Sequence, residues 1–282
     1  MGAAATRLLG EGDPHPVDLR RLHGSSEIFL TCDHAGRRLP ASLGSLGLEA
    51  AEMDRHIAWD IGAAGLAERF SERLDAALVM QTYSRLVIDC NRPPTAPTSI
   101  ATISEATEIA GNRDLSPQQI HARVREVFDP YHDRIDAELE LRRRAGRPTV
   151  LVSVHSFTPV FHGERRPWDV GLLYNRDPAF AQLLSDALEG SGLVVGHNEP
   201  YSVSDVTDYT IPVHGERRGI PHVMIEVRQD LIEKDAGQDA WAERLSDLLR
   251  QALGQMNDGG TGGGARRSSR RQGGLARQRN RQ

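Results

Sequence analysis

Four short apolar runs, each ending in or enclosing residues that bind or catalyse, constrain this chain more than any other feature. They are Ile28-Phe29-Leu30-Thr31-Cys32-Asp33 before His34, the segment Arg85-Leu86-Val87-Ile88-Asp89-Cys90-Asn91-Arg92, Val150-Leu151-Val152-Ser153-Val154 before His155, and Val223-Met224-Ile225-Glu226-Val227-Arg228. Continuous apolar runs of this length predict strands covered on both faces. In an open α/β sheet, ligands gather in the crevice beyond the carboxyl ends of the strands, so these polar residues are expected to converge there.

The remaining pattern fits that frame. Strands are expected over residues 27–33, 77–82 with 85–90, 149–155, 169–174, 193–197 and 222–228, and helices over 53–74, 117–144, 178–188 and 240–256. Their alternation predicts an α/β fold, a single domain with a mixed, mostly parallel sheet flanked by helices. Ser116 before Pro117 is a helix start signal, and Pro130 should kink or break the second helix. Two long polar loops, 93–115 and 199–219, are the expected walls of a substrate pocket. The domain is expected to span residues 1–258. Residues 259–282 have the Gly/Arg/Ser/Gln composition of a disordered tail.

Composition removes several function classes. The net charge is −5, although the arginines of the tail, from Arg266 to Arg281, have no acidic neighbour after Asp258. The body is therefore more acidic than the total, which argues against a nucleic-acid enzyme and leaves weak tail contacts with RNA or anionic surfaces. Lys234 is the only lysine and lies in no glycine motif, so neither a P-loop nor a Schiff-base mechanism is expected. Cys32 and Cys90 form no CxxC pair and read as small buried residues. With no signal-peptide core and no membrane-length apolar run, a cytoplasmic location is expected.

A catalytic zinc site takes about three protein ligands and keeps one position open. His34 and His155 sit at strand ends and are the first two candidates. A His-x-x-Glu motif would place a carboxylate at position 37, but the chain has Arg37. Asp60, expected on the helix of residues 53–74, is the substitute, with His56 one turn earlier as an alternative ligand or outer partner. Glu226 lies inside an apolar strand, where an ionised carboxylate needs a partner or a metal, and is the candidate general base. Arg228, two positions on, shares its face and is expected, with His214, to bind the side-chain carboxylate of the substrate. Asn91 and Arg92, held before Pro93-Pro94, suit a substrate carboxylate. Arg85 suits an oxyanion or an ion pair with Asp89. His214, in a glycine-bounded loop, suits substrate binding or proton delivery. Each also has an ordinary reading, as a capped strand end, a helix-start acid, a buried ion pair or a loop residue.

The ordered series Asp33-His34-Ala35-Gly36, Trp59-Asp60, Arg85 with Asp89-Cys90-Asn91-Arg92-Pro93, Ser153-Val154-His155-Ser156-Phe157 and Ile225-Glu226-Val227-Arg228 resembles the N-formylglutamate amidohydrolase family, from about Glu27 to Ile232. The resemblance implies a fold like the zinc exopeptidases and phosphorylase-hydrolases, distantly similar to zinc carboxypeptidases and aspartoacylase. It also implies one zinc held by His34 and His155, Asn91 and Arg92 on the substrate carboxylate, Arg85 on the oxyanion and Glu226 as base. The expected activity is metal-dependent removal of an N-acyl group, formyl foremost, from a small acidic amino acid. The alternatives are a zinc peptidase or deacylase acting on larger N-acyl substrates, or a non-catalytic relative in which Arg37 marks a lost metal.

Overall fold

The computed structural model describes residues 7–261. Its centre is a seven-stranded sheet formed by β1 (Val17–Arg20), β2 (Ile28–Cys32), β3 (Ala77–Gln81), β4 (Val150–Phe157), β5 (Val170–Leu173), β6 (Val195–His197) and β7 (His222–Arg228). Their order across the sheet is β1-β3-β2-β4-β7-β5-β6. β3, β2, β4 and β7 run parallel, whereas β1 pairs antiparallel with β3 and β5 pairs antiparallel with β7. This is the expected mixed, mostly parallel sheet.

Helices cover both faces. On one side α1 (Ala63–Leu74), α4 (Ala179–Leu188) and α5 (Asp235–Thr261) bury Leu66, Phe70, Leu184, Leu245 and Leu249 against Val152, Val154, Val223 and Ile225. On the other side α3 (Asp129–Arg144) packs Tyr131, Ile135 and Leu139 against Phe29, Val79 and Leu151. The alternation along β4 and β7 therefore carries function. Valines and isoleucine point to the first face, and Ser153, His155, Met224 and Glu226 point to the second.

Three expectations change. The helix expected over 53–74 is split into a single turn, Ala50–Met53, and α1, and Asp60 lies in the irregular link between them. That link is anchored by the Asp60 N–H donating to the His34 carbonyl at 3.0 Å. Gly62 ends it at φ 81°, where a Cβ would fall 2.1 Å from the Ile232 carbonyl oxygen, so only glycine lets α1 start there. Residues 85–90 are a buried irregular segment and not a strand. The helix from Ser116 has the expected cap, with the Gln119 N–H donating to Ser116 Oγ. It runs as α2 (Pro117–Arg123), widens into a π turn at Val124–Phe128, and continues as α3, a path that accommodates the N–H that Pro130 lacks.

α5 continues past Asp258 to Thr261, into the segment expected as a tail. The arginines from Arg266 onward lie outside the described residues. No helix among the described residues is long and apolar enough to cross a membrane.

Candidate active site

A cleft of about 630 Å³ opens at the carboxyl ends of the parallel strands. His34 enters it just after β2, His155 from β4, and Glu226 from β7, where it pairs in register with His155. Asp60 arrives from the link before α1. His34, Asp60 and His155 are all buried, and each offers a ligand atom within 4.8 Å of the others. These residues form a site able to hold a metal ion.

The hydrogen bonds support that reading from the donor side. His155 Nδ1 lies 2.8 Å and His34 Nδ1 3.3 Å from the same oxygen, Asp60 Oδ2. The opposite nitrogens are also held by acids, since His155 Nε2 is 3.0 Å from Asp33 Oδ2 and His34 Nε2 is 2.7 Å from Asp89 Oδ1. A carboxylate only accepts, so a neutral imidazole between two carboxylates leaves one contact without a proton. A cation shared by the two Nδ1 atoms and Asp60 removes that conflict, while Asp33 and Asp89 fix the ring orientations as outer carboxylate partners do.

The charge balance points the same way. Four carboxyls, Asp33, Asp60, Asp89 and Glu226, surround the two imidazoles, and their guanidinium contacts among the described residues are those of Arg85 with Asp60 and Asp89 and of Arg92 with Asp89. Burial by itself would raise the Asp60 carboxyl, but His34 and His155 outweigh it and hold the group below the usual carboxylate range. Burial likewise opposes charging His155, and its bonds to Asp33 and Asp60 overcome that and push it well up. The pocket therefore stabilises positive charge where the two Nδ1 atoms meet.

Glu226 behaves differently. Burial, with the nearby Asp60 charge, pushes its carboxyl up to about 7 against the opposing influence of His155, His34 and Arg85. Its Oε2 is buried with no hydrogen-bond partner among the described residues. A buried acid with a free oxygen and a midpoint near neutrality is suited to taking and returning a proton.

The cationic wall comes from the segment after β3. Arg85 donates to Asp60 Oδ1 at 3.2 Å and to Asp89 Oδ2 at 2.8 Å, which makes the ion pair expected with Asp89 and leaves the guanidinium facing the cleft. Arg92 also lines the cleft and donates to the Thr207 carbonyl at 2.8 Å. Asn91 is more committed than expected. Its Oδ1 accepts from the Tyr209 and Thr210 N–H groups and its Nδ2 donates to Asp208, which ties the 201–210 loop to the site.

Other candidates are placed elsewhere. His214 is buried away from the cleft, with Nε2 2.9 Å from His132 Nδ1 and Nδ1 2.8 Å from Asp136. Arg228 is held by Asp169, Asp230 and the Trp168 carbonyl. The expected substrate contacts of these two residues are therefore not met by their positions. Arg37 pairs with Asp54 over the Trp59 ring, so it occupies no ligand position. His56 lines the cleft near Glu105, 3.5 Å away, and is not part of the metal-binding group.

Two residues that the sequence reading left without a place in the site prove central. Asp33 accepts from Tyr131 Oη, Thr210 Oγ1, Ser153 Oγ and His155 Nε2. Asp89 accepts from His34, Arg85 and its own loop at the Asn91 N–H. Their signal was available, because an acid at the end of a buried run needs a partner.

The model of the N-formylglutamate amidohydrolase family matches residues 26–233. Among solved structures, the gene product Atu2144 from Agrobacterium tumefaciens is 38% identical, with a TM-score of 0.87 over 89% of this chain and 100% of that one. An N-formylglutamate amidohydrolase from Ralstonia eutropha JMP134 is 21% identical, with a TM-score of 0.64 over 87% and 100%, a likeness of fold. No curated protein matches the chain.

Proposed function

The chain belongs to the N-formylglutamate amidohydrolase family, a hydrolase acting on amide bonds, and we propose that it is a zinc-dependent enzyme removing an N-acyl group from an acidic amino acid such as N-formylglutamate. The observation that carries this reading is the meeting of the His34–Asp60–His155 group, the free Glu226 oxygen and two arginines in one cleft. His34 Nδ1, His155 Nδ1 and Asp60 would hold the metal. Bound there, zinc supplies Lewis acidity, polarising the amide carbonyl and making water more acidic.

The chain's own groups account for the remaining steps. Glu226, ionised, accepts a proton from the attacking water and returns it to the departing nitrogen. Arg85, held on two carboxylates, offers its guanidinium to the oxygen that gains charge as the carbonyl becomes tetrahedral. Arg92, with the remaining N–H of Asn91, receives the substrate carboxylate. Purified protein loaded with zinc is expected to hydrolyse N-formylglutamate far faster than N-formylleucine, and chelation should abolish this until zinc is restored. Turnover that survives complete removal of metal would refute the metal assignment.

Asp89 gives a second test. Asp89→Asn removes the charged acceptor from His34 Nε2 but leaves every proposed ligand in place. Zinc affinity, read by competition with a chromophoric chelator, is expected to fall about 10–100-fold. An unchanged affinity would show that this contact does not orient the ligand.

A further inference from the structure

Two buried histidines outside the cleft stand in an arrangement that requires an extra proton. His132, on α3, and His214, in the π turn Ile211–Gly215, stack with ring planes 17° apart and centroids 5.1 Å apart. His132 Nε2 lies 2.7 Å from the Cys90 carbonyl oxygen, His132 Nδ1 lies 2.9 Å from His214 Nε2, and His214 Nδ1 lies 2.8 Å from Asp136 Oδ1. Arg218 also donates to Asp136 at 2.7 Å, and His214 with it holds the Asp136 carboxyl down to about 2. Both ends of the chain are therefore oxygens that only accept. One proton is needed on His132 Nε2, another on His214 Nδ1 and a third between the rings. Two neutral imidazoles carry two protons, so the pair holds one more and bears a positive charge. Burial, and after it the His214 charge, pushes His132 down to about 3, which leaves the extra proton on His214. The charged groups that act on the pair are Asp136 on α3, Arg218 after the turn and Asp33 beyond β2. Tyr131 and Tyr209 face it as neutral rings, and His222 of β7, which packs under Gly215, has its Nδ1 2.7 Å from the Ile220 carbonyl.

The chain of contacts ends on the segment proposed to receive the substrate carboxylate. The Cys90 carbonyl belongs to the same planar peptide as the Asn91 N–H, which donates to Asp89 Oδ1 at 2.9 Å. On the other side, Asn91 Oδ1 accepts from the Tyr209 N–H at 3.2 Å and the Thr210 N–H at 3.1 Å, and Thr210 leads directly into the turn that carries His214. The histidine pair thus ties both sides of the Asn91 contact to α3. Loss of the extra proton leaves three contacts and two protons. One contact then sets lone pair against lone pair, at Cys90, between the rings or at Asp136, and the clamp opens there.

We infer that His132 and His214 are positioning residues for the substrate carboxylate: while the pair is charged it fixes the Cys90–Arg92 segment against the turn, and when the pair loses its extra proton substrate binding weakens. The inference rests on the amidohydrolase reading above, which gives that carboxylate to Arg92 and Asn91. Neither histidine lines the cleft, so both act through the segment they hold.

Asp136→Asn tests this, because Asp136 is half exposed and meets the charged pair without lining the cleft. With the zinc-loaded full chain and N-formylglutamate, the wild-type KM is expected to rise about three- to tenfold as pH is raised through the histidine range, the factor that one lost hydrogen bond carries. The Asp136 carboxylate favours the charged pair, so in Asp136→Asn the midpoint of that rise should move to lower pH, and Asp136→Glu should restore it. The inhibition constant of L-glutamate should follow KM, and the change should appear in these two quantities rather than in kcat. Independently of turnover, 15N spectra of histidine-labelled protein, assigned with His132→Gln and His214→Gln, are expected to show three protons on the four ring nitrogens below the midpoint. An unmoved midpoint, an effect confined to kcat, or two neutral rings below the midpoint would overturn the inference and leave the amidohydrolase reading standing. Failure of the zinc-loaded wild type to cleave N-formylglutamate would overturn that reading, and the inference with it.

Discussion

Replacing Glu226 with glutamine is expected to lower turnover by about two to four orders of magnitude while leaving zinc content unchanged. The substitution keeps the shape of the side chain and removes only its ability to hold a proton. Because Glu226 stands on β7, outside the group formed by His34, Asp60 and His155, metal uptake should not depend on it. Loss of both metal and activity would instead make Glu226 a ligand.

The same substitution has a stability signature with a definite sign. In the metal-free protein the carboxyl of Glu226 is pushed from 4.5 up to about 7, chiefly by burial. Below about pH 4.5 it is protonated in both folded and unfolded chains, and its burial carries no charge penalty. Between about pH 4.5 and 7 the unfolded chain ionises while the folded protein keeps the proton, so stability falls across this window by an amount on the order of 3 kcal/mol, and the loss is complete once the folded carboxyl ionises above 7. Glutamine lacks this cost. The metal-free Glu226→Gln protein should therefore melt above the wild type at pH 8, with the difference shrinking toward pH 4. A difference independent of pH would mean that the carboxyl is not perturbed as its burial requires.

Much of this arrangement is legible in the sequence because β2, β4 and β7 are buried runs in which Ser153, His155 and Glu226, with Asp33 and His34 just beyond β2, stand out as polar positions, although Thr31 and His222 show that a buried polar residue on these strands is not always part of the site. Apolarity identified the strands, and the cost of burying His155 or Glu226 without a purpose identified the candidates. The same rule misled at residues 85–90. That run is apolar and buried but is not a strand, because side chains far along the chain satisfy its carbonyls. Arg123 donates to the Val87 carbonyl, Asn112 to that of Leu86 and His132 to that of Cys90. Apolar pattern cannot distinguish a ladder from such a substitute, since both meet the same requirement for paired backbone groups.

Distance along the chain explains the other failures. His214 has the loop setting of a substrate contact, but its partner Asp136 lies on α3, and only the folded chain shows that neither residue lines the cleft. Asp60 was identified by residue type but placed on the wrong element. Helical periodicity carried the expected helix through a link whose path is set by Gly62 and by the contact with the His34 carbonyl.

Asp60→Asn should have the largest effect on metal binding, greater than the 10–100-fold typical of an outer partner. Asp60 Oδ2 is the atom that both Nδ1 groups face, and Oδ1 anchors Arg85. An amide at this position supplies at most a neutral oxygen, so two imidazoles remain to hold a divalent ion in a pocket that has lost one negative charge. Zinc content is expected to become substoichiometric, and turnover to fall to that of the chelated wild type. Two explanations of such a loss are separable. If Asp60 is chiefly the counter-ion of charged imidazoles, removing it leaves buried charge unpaired, and the protein should lose about 3–5 kcal/mol of stability with or without metal. If it is chiefly a ligand, zinc should raise the melting temperature of the wild type and have little effect on the variant, because stabilisation by a ligand follows its affinity for the folded state. Equal zinc stabilisation of the two proteins would remove Asp60 from the metal site and return the third position to another group of the cleft.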